Sequence, residues 1–397
     1  MVVRLGAAAL VLALVAAACS SDDDAKGAEG NDVPTEEASA DQASVYPTAE
    51  WERADAGEMG FDQAKLDALA AEAESQDSNC LIVTRHGKLV ADWYWNGTDA
   101  SSSQEVFSAT KSYSSTLVGI AQDEGKLDID DKASKYINEW VGTPSENITV
   151  RNLLSNDSGR HWDFQSDYIS LSGSPDRDAF AIGLSQDAPP GETWVYNNAA
   201  IQTLDAVLHR STGQPTADYA KQKLLDPIEM TESAFSVDGA GNAATYFGLS
   251  STCEDMARFG YLFLRDGNWD GTQVVSEDWV KQATQSSQDI NPGYGFLWWL
   301  NVPGHEIGVT AAVTKEQADA NPERDRPPGA SEDMYWAQGL GGQVIQVDPG
   351  SDTVVVRLGT GDVGAKYGSF DTAKIVTEAL TDQPRYRQPD AGPVDDS

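Results

Sequence analysis

The chain has 397 residues, of which 40% are hydrophobic, so it is long enough to bury one large core or two smaller lobes. Its 27 basic and 63 acidic side chains give a formal net charge of −36. A surface of that charge repels the phosphates of nucleic acids and the headgroups of anionic lipids, which argues against a nucleic-acid partner.

The N-terminal segment indicates export. Residues 1–18 contain Arg4 and then an apolar run too short to span a bilayer, which is typical of a signal peptide. Cys19 follows three alanines in a pattern that resembles a lipobox, in which the cysteine receives a lipid; cleavage after the alanines without lipidation is the alternative. Residues 19–49 are rich in Asp, Glu, Ala and Ser, as in a flexible acidic linker. We expect a lipid-anchored protein on the extracytoplasmic face of the cell membrane, or otherwise a secreted one.

The first part of the predicted domain begins with a helix and two strands. The Ala-rich amphipathic segment Gln63 to Gln76 predicts the helix. Leu81 to His86 and Leu89 to Trp95 predict strands, joined by a turn at Gly87-Lys88. From about residue 108 to 267 the pattern is mostly helical, with loops.

Strand patterns return in the last third of the chain, before a closing helix from Phe370 to Leu380. They lie at Tyr294 to Leu300, Met334 to Gln338, Gln343 to Val347 and Thr353 to Leu358. Strands from both chain ends predict an α/β fold of the α+β type, in which an antiparallel sheet is flanked by helices and a mostly helical insertion lobe forms the opposite wall of a cleft. We expect this domain to span residues 50–386, with a disordered tail at 387–397.

The first sequence motif is Ser108-Ala109-Thr110-Lys111, at the start of a predicted helix from Ser108 to Gly125. This spacing places serine and lysine one turn apart on one helix face, so the amine can act on the hydroxyl. Backbone N–H groups at the start of a helix also face any negative charge that develops on a substrate. The motif therefore predicts a nucleophilic serine with its proton acceptor.

The second motif is Tyr196-Asn197-Asn198. The same spacing of tyrosine and asparagine occurs at Tyr94–Asn96 and Tyr136–Asn138, so context must distinguish them. A Pro-Pro-Gly turn precedes Tyr196, and an amphipathic helix from Ala199 to Arg210 follows. A side chain on such a turn can project into a cleft.

The third motif is Ala337-Gln338-Gly339, which continues into Gly341-Gly342. With the three motifs in this order, the chain resembles the serine β-lactamase and penicillin-binding protein family over roughly Trp51 to Leu380. The resemblance is to the class C β-lactamase-like branch, which includes esterases and 6-aminohexanoate-dimer hydrolases. It implies a β-lactamase/transpeptidase-like fold and acyl transfer through a serine ester.

The resemblance also implies a role for individual residues. Ser108 is the expected nucleophile, and Lys111 and Tyr196 are the pair that handles protons. Asn198 is expected to bind the acyl side chain of the substrate. The backbone N–H groups of Ser108 and Leu340 are expected to form the oxyanion hole, with Gly339 allowing close approach to the substrate. Further substrate contacts are expected from Trp162 and Tyr168, whereas Trp298-Trp299 is interpreted as strand packing.

Chemistry adds a condition on the proton-handling pair. Free lysine and tyrosine side chains both have a pKa of about 10, so each needs a neighbour to work at neutral pH, and nearby cations are expected to lower the pKa of Tyr196.

In β-lactamases the first residue of the third motif is a cation, but here it is Ala337. The sequence therefore predicts a hydrolase of small esters or amides. The alternatives are a β-lactamase or D,D-peptidase, or a catalytically idle peptide-binding domain of the same fold.

Two cysteines remain after Cys19. Because an exported protein meets an oxidising environment, Cys80 and Cys253 are predicted to form a disulfide, with two free buried thiols as the alternative. No Cys-x-x-Cys or Cys/His cluster occurs, so we expect no metal and no cofactor. The expected partners are a small ester or amide substrate and, through the lipid anchor, the membrane. The oligomeric state is left open.

Overall fold

The computed structural model describes residues 45–362, 364 and 366–382. The predicted signal peptide, Cys19 and the 387–397 tail lie outside the described residues. Residues 45–49, which the sequence analysis assigns to the linker, are described, and the carbonyl of Val45 accepts a hydrogen bond from the Tyr261 hydroxyl at 2.7 Å. Tyr46 packs edge-on against Tyr261 and Trp269. These contacts place the start of the folded part before residue 50.

A six-stranded antiparallel sheet forms the centre of the fold. Its strands come from both ends of the described chain and are β1 (Ser78–Arg85), β2 (Lys88–Tyr94), β3 (Trp299–Leu300), β4 (Tyr335–Gly339), β5 (Gln343–Asp348) and β6 (Thr353–Gly359). Their order across the sheet is β2-β1-β6-β5-β4-β3. The predicted antiparallel sheet flanked by helices is confirmed.

Helices cover both faces of the sheet, which explains why its central strands carry apolar residues on both faces. The N-terminal helix and the C-terminal helix pack on one face against Leu81, Val83 and Val355. The alternate residues Ile82 and Val356 face the other side and join the large core shared with the helical lobe. The helices are α1 (Gln63–Ser75), α2 (Thr110–Asp123), α3 (Val150–Ser155), α4 (Arg177–Gly183), α5 (Asn198–Thr212), α6 (Cys253–Leu264), α7 (Glu277–Ala283) and α8 (Ser369–Lys374).

The helical lobe lies between β2 and β3 in the chain. Side chains cap the helix N-termini: Thr149 caps α3, Asn197 caps α5 and Thr252 caps α6. Shorter helices lie at Leu171–Gly173, Thr216–Ala220 and Lys315–Asp319, and π-helical turns at Gln165–Ser170, Lys221–Leu225 and Ile375–Ala379. Within the described residues, we find no helix with the length and apolar character needed to cross a membrane.

Short strands outside the central sheet form three smaller sheets in the described part of the chain. One three-stranded sheet joins Gln104–Glu105 and Ala234–Phe235 to Leu249–Ser251. A two-stranded sheet joins Thr193–Trp194 to the distant segment Val313–Thr314, and a hairpin joins Asn268–Trp269 to Thr272–Gln273. A disulfide joins Cys80 in β1 to Cys253 at the start of α6, with the two Cα atoms 6.6 Å apart.

One predicted strand is mostly a turn. The sequence analysis assigns Tyr294 to Leu300 to a strand, but only Trp299–Leu300 pairs in the sheet. Leu297 has a φ of +62°, and the Gly295 N–H donates to the Trp298 carbonyl at 2.9 Å, which closes a tight turn. A left-handed residue cannot continue a strand, so the prediction is wrong for the first five residues of this segment.

Candidate active site

Ser108 lies in a single 3-10 turn, Phe107–Ala109, that leads directly into α2. Phe107 has a φ of +47°, a strained backbone conformation for a bulky residue. The neighbouring strand holds the turn, because the Val106 N–H donates to the Leu249 carbonyl at 2.9 Å and the Leu249 N–H donates to the Thr110 hydroxyl at 3.0 Å. The turn leaves Ser108 half-buried, with its side chain on the wall of a cleft.

Lys111 lies one turn further along α2 and is fully buried. Its Nζ is 2.9 Å from the Ser108 hydroxyl and donates to the Tyr246 carbonyl at 2.7 Å. Burial lowers the pKa of Lys111 to about 7, although the carboxylate of Asp167 opposes this shift. A substantial fraction of this amine is therefore neutral at pH 7, and a neutral amine can take the proton of the serine.

Tyr196 completes the group around Ser108. Lys111 Nζ is 4.7 Å from the centre of the Tyr196 ring, and the phenol is next to the Ser108 hydroxyl. Burial raises the pKa of Tyr196 well above its usual range, although the hydrogen bond with Ser108 opposes the shift. The expectation that cations lower the pKa of Tyr196 is therefore wrong: the phenol stays protonated, and the lysine is the member of the pair that changes charge near neutrality.

Asn198 lies in the first turn of α5 and lines the cleft. Its side-chain NH₂ group donates to the buried carboxylate of Asp167 at 2.8 Å. Tyr168 lies on the cleft wall. Trp162 is not among the residues that line the cleft, and its indole lies next to Asp167. The contacts of Tyr168 and Trp162 with substrate stay predictions.

Gly339 ends strand β4 next to the nucleophile turn. A Cβ atom at this position would overlap the Val106 carbonyl oxygen and lie 3.2 Å from the Ala109 nitrogen. The sequence analysis attributes the glycine to close approach of the substrate, but the close approach seen here is to the turn that carries Ser108. Leu340 follows at the cleft rim and is half exposed. Ala337 is buried in the core, opposite Ile345 of β5.

The cleft has a volume of about 430 Å³, and six of the thirteen residues that line it are aromatic. Of the described residues that line it, none carries a positive charge; they are Phe107, Ser108, Tyr168, Ser172, Tyr196, Asn198, Tyr246, Phe247, Trp299, Val309, Gln338, Gly339 and Leu340. Trp299, in strand β3, stacks on Tyr196 with the ring centres 5.8 Å apart. Trp298 is wholly buried, so it packs in the core as expected, but from the turn before the strand.

Several residues of the site escaped the sequence analysis. Asp167 belongs to no motif, and its buried position depends on a π-helical turn that no periodicity predicts. Tyr246 and Phe247 lie outside the three motifs, directly before the short strand Leu249–Ser251. Val309 reaches the cleft from a long loop without regular structure.

Comparisons with known proteins agree with this geometry. The sequence model of the Beta-lactamase family matches residues 70–379. A 6-aminohexanoate-dimer hydrolase of Paenarthrobacter ureafaciens is 24% identical over 352 residues, which cover 79% of this chain and 82% of the relative. Together they confirm the family predicted from the three motifs.

Solved structures show the same fold at low sequence identity. EstCE1, a hydrolase with promiscuous acyltransferase activity, is 16% identical and aligns with a TM-score of 0.58 over 79% of this chain and 98% of its own. An octameric penicillin-binding protein homologue from Pyrococcus abyssi is 18% identical and aligns with a TM-score of 0.59 over 76% of this chain and 74% of its own. Since the family model covers well over half of the chain, the protein belongs to the beta-lactamase family and is a serine hydrolase of that family.

Proposed function

We propose that the protein is an exported hydrolase that cleaves a small, uncharged ester or amide through an acyl-serine intermediate. One observation carries the proposal: the Ser108 hydroxyl lies on the cleft wall 2.9 Å from the amine of Lys111, whose pKa burial lowers to about 7. A nucleophile needs a base within hydrogen-bond reach that is neutral at the working pH. Lys111 meets both conditions.

In the first half of the reaction, neutral Lys111 takes the proton of Ser108 while the serine oxygen bonds to the substrate carbonyl carbon. The N–H groups of Ser108 and Leu340 stabilise the resulting oxyanion. When the intermediate collapses, the bond to the leaving alcohol or amine breaks, and Tyr196 supplies the proton that this group needs. The high pKa of Tyr196 suits this role, because the phenol is protonated beforehand. The Lys111 ammonium then restores the proton of Tyr196.

In the second half, water attacks the ester carbon of the acylated Ser108. The proton of the water passes to the pair of Lys111 and Tyr196, and the bond between the acyl carbon and Ser108 breaks. Ser108 recovers a proton from the same pair. The sum is the addition of one water molecule across the ester or amide, and the site returns to its starting state.

The lining of the cleft supports an uncharged substrate. A β-lactam carries a carboxylate beside the scissile amide, and Ala337 supplies no cation to bind it. Loss of one charge-assisted hydrogen bond costs roughly 1.5–3 kcal/mol, which is about one to two powers of ten in rate. We expect kcat/KM for short p-nitrophenyl esters to exceed that for nitrocefin, and the reverse order would favour a β-lactamase.

A fluorophosphonate probe tests the proposal, because it reacts covalently with activated serines. We expect stoichiometric labelling of the wild type and no labelling of Ser108→Ala, with a loss of ester turnover on the order of 10⁴-fold or more. Ser172→Ala is the matched control, since this second cleft serine lies 3.3 Å from the Tyr246 hydroxyl and not beside an amine; it should still be labelled. A wild type that is not labelled would favour an idle peptide-binding domain.

The proposal includes export and a lipid anchor at Cys19. Its support is the signal-like segment 1–18 and the disulfide between Cys80 and Cys253, a bond that persists mainly in oxidising compartments. We expect Cys19→Ser to move the protein from the membrane fraction to the medium. Wild-type protein found in the medium without a lipid would contradict the anchor and leave export standing.

A further inference from the structure

Arg357 in strand β6 is a fully buried cation that the acyl-transfer steps do not use. Its Nη1 donates to the carbonyls of Gly341 and Gly342 at 2.7 and 3.0 Å. Its Nε donates to the Ser78 hydroxyl and its Nη2 to the Gln76 carbonyl, each at 2.8 Å. A buried charge is unfavourable unless its polar atoms are hydrogen-bonded. These four neutral oxygen atoms therefore hold the guanidinium in a fixed position.

Two of the four oxygens belong to the loop that follows the third motif. Residues 340–342 join strand β4 to strand β5, and Leu340 lies at the cleft rim. Gly341 and Gly342 have φ values of +76° and +75°, which glycine adopts readily. A Cβ atom on Gly342 would lie 2.5 Å from the Nη1 of Arg357. Glycine at this position therefore leaves the space that the guanidinium occupies.

Gln343 holds the same loop from the start of β5. This side chain is fully buried; its Nε2 donates to the Leu340 carbonyl at 3.1 Å, and its Oε1 accepts from the Gly359 N–H at 2.8 Å. With the bonds from Arg357, the carbonyls of all three loop residues accept hydrogen bonds from buried side chains. Before the loop, Gly339 pairs with Gln343 in the sheet. The Leu340 N–H thus lies between two segments whose backbone is fixed.

We propose that Arg357 is a positioning residue for oxyanion stabilisation: by holding the carbonyls of Gly341 and Gly342, it fixes the direction of the Leu340 N–H. The inference rests on the proposed function, in which this N–H binds the oxyanion that forms on the substrate. A donor of this kind is effective only within about 2.7–3.1 Å of the oxyanion, and loss of one donor costs about 10²–10³-fold in kcat. A loop that can rotate would weaken this hydrogen bond without removing it.

Two esters that differ in one atom report on the oxyanion site. One is p-nitrophenyl acetate, and the other is its thiono analogue, in which sulfur replaces the carbonyl oxygen. Sulfur is a weak hydrogen-bond acceptor, so oxyanion donors accelerate the oxygen ester more than the thiono ester. Each kcat/KM is divided by the rate of hydrolysis of that ester by hydroxide alone. In the wild type we expect the oxygen ester to be favoured by about 10²-fold or more, and equal values would overturn the proposal.

Arg357→Met provides the direct test at pH 8, where the wild-type guanidinium is charged because burial lowers its pKa only to about 10. Methionine keeps the apolar stem but donates to neither loop carbonyl. We expect the preference for the oxygen ester to fall by about tenfold, which is less than the loss of a whole donor. A merely structural role would lower both rates and leave their ratio unchanged, so an unchanged ratio would overturn the proposal.

Arg160→Met is the matched control. Arg160 is also buried, and its guanidinium also donates to two backbone carbonyls, those of Ala181 and Ile182. We expect this variant to keep the wild-type ratio. An equal fall of the ratio in both variants would mean that it reports a general loosening of the fold, and the proposal would be rejected.

The ratio is measured within each variant, so it does not depend on how much of the protein is folded. If Arg357→Met gives no protein that reacts with fluorophosphonate, Arg357→Lys decides. Lysine keeps the positive charge, but its single nitrogen cannot replace the planar fork that reaches both loop carbonyls. We expect the ratio to fall by about 2–10-fold, as for the loss of one hydrogen bond, and a wild-type ratio would contradict the positioning role. Failure of the proposed function is a different result, namely ester turnover that survives in Ser108→Ala.

Discussion

Two of the cavities in the described part of the chain differ in character, although each has a serine beside a buried cation. The larger, about 970 Å³, lies in the helical lobe, and there Arg160 donates to the Ser145 hydroxyl at 2.7 Å. The smaller, about 430 Å³, is the cleft in which Lys111 lies 2.9 Å from Ser108. The larger cavity is a common first guess for an active site. The chemistry of the two cations points instead to the smaller one.

Burial acts on the two cations with different results. It lowers the pKa of Lys111 to about 7 and that of Arg160 to about 10, so only the lysine loses its proton at neutral pH. Arg160 also donates to the backbone carbonyls of Ala181 and Ile182 and lies over the Trp140 ring. A guanidinium held in this way joins segments of the lobe and cannot act as a base. We therefore interpret Lys111 as a catalytic cation and Arg160 as a structural one.

The largest expected effect comes from placing the wrong cation in the cleft. Lys111→Arg keeps a positive charge beside Ser108 but cannot accept its proton, and Lys111→Met removes the charge as well. We expect both to lower kcat/KM for a p-nitrophenyl ester by on the order of 10²–10⁴-fold, the usual worth of general acid–base catalysis. If Lys111→Arg retained wild-type turnover, a positive charge beside Ser108 would be sufficient for catalysis, and the distinction between Lys111 and Arg160 would fail.

Gly339→Ala should have the next largest effect, because the added Cβ overlaps the Val106 carbonyl and displaces the nucleophile turn. A displacement near 1 Å at a reacting group can cost about 10²-fold in rate, and we expect a loss of about that size in steady-state assays. Gly183→Ala is the matched control, since Gly183 lines the larger cavity with no atom near its added Cβ. Similar losses in both variants would show that the rate reports general destabilisation.

The elements that carry the site differ in how far the sequence predicts them. Ser108, Lys111, Tyr196 and Asn198 lie in short motifs whose spacing places them on helix starts, and local sequence is enough to recognise such patterns. Asp167 depends on a tertiary contact with the first turn of α5, which no local pattern encodes.

The direction of the pKa shifts also required the structure. The sequence shows a lysine and a tyrosine that need perturbed pKa values, but burial decides the sign of each shift, and burial is a property of the folded chain. The strands β1, β5 and β6 were predictable from their apolar runs. The segment from Tyr294 to Trp298 was not, because a tight turn with an apolar composition has the appearance of a strand.

The pH dependence of the rate provides a third test, with an effect of about tenfold per pH unit. The base must be neutral, so kcat/KM should rise with pH up to about 7, where Lys111 loses its proton, and level off above it. Because the pKa of Tyr196 is raised, the phenol should cause no decline at mildly alkaline pH. A rate that falls between pH 6 and pH 8, measured with an uncharged ester, would contradict the assignment of Lys111 as the base.

Arg160→Met should have the smallest effect on activity, because it changes the structural cation and not the catalytic one. Methionine keeps the apolar stem but leaves the Ser145 hydroxyl and the carbonyls of Ala181 and Ile182 without their donor. We expect the free energy of unfolding in urea to fall by roughly 1.5–3 kcal/mol, the range for hydrogen bonds to a charged group. Turnover per fluorophosphonate-labelled site should stay within about threefold of the wild type, as is usual for a change outside the reacting groups.

Arg160→Met could affect the cleft through one backbone hydrogen bond. The backbone carbonyl of Arg160 accepts a hydrogen bond from the Asn197 side chain at 3.2 Å, and Asn197 lies between Tyr196 and Asn198. If the substitution shifts only side chains, this backbone contact survives and the labelled sites turn over normally. A tenfold loss per labelled site at a temperature where the variant is folded would mean that the guanidinium positions the second motif. The larger cavity would then belong to the catalytic apparatus, and the distinction between the two cations would fail.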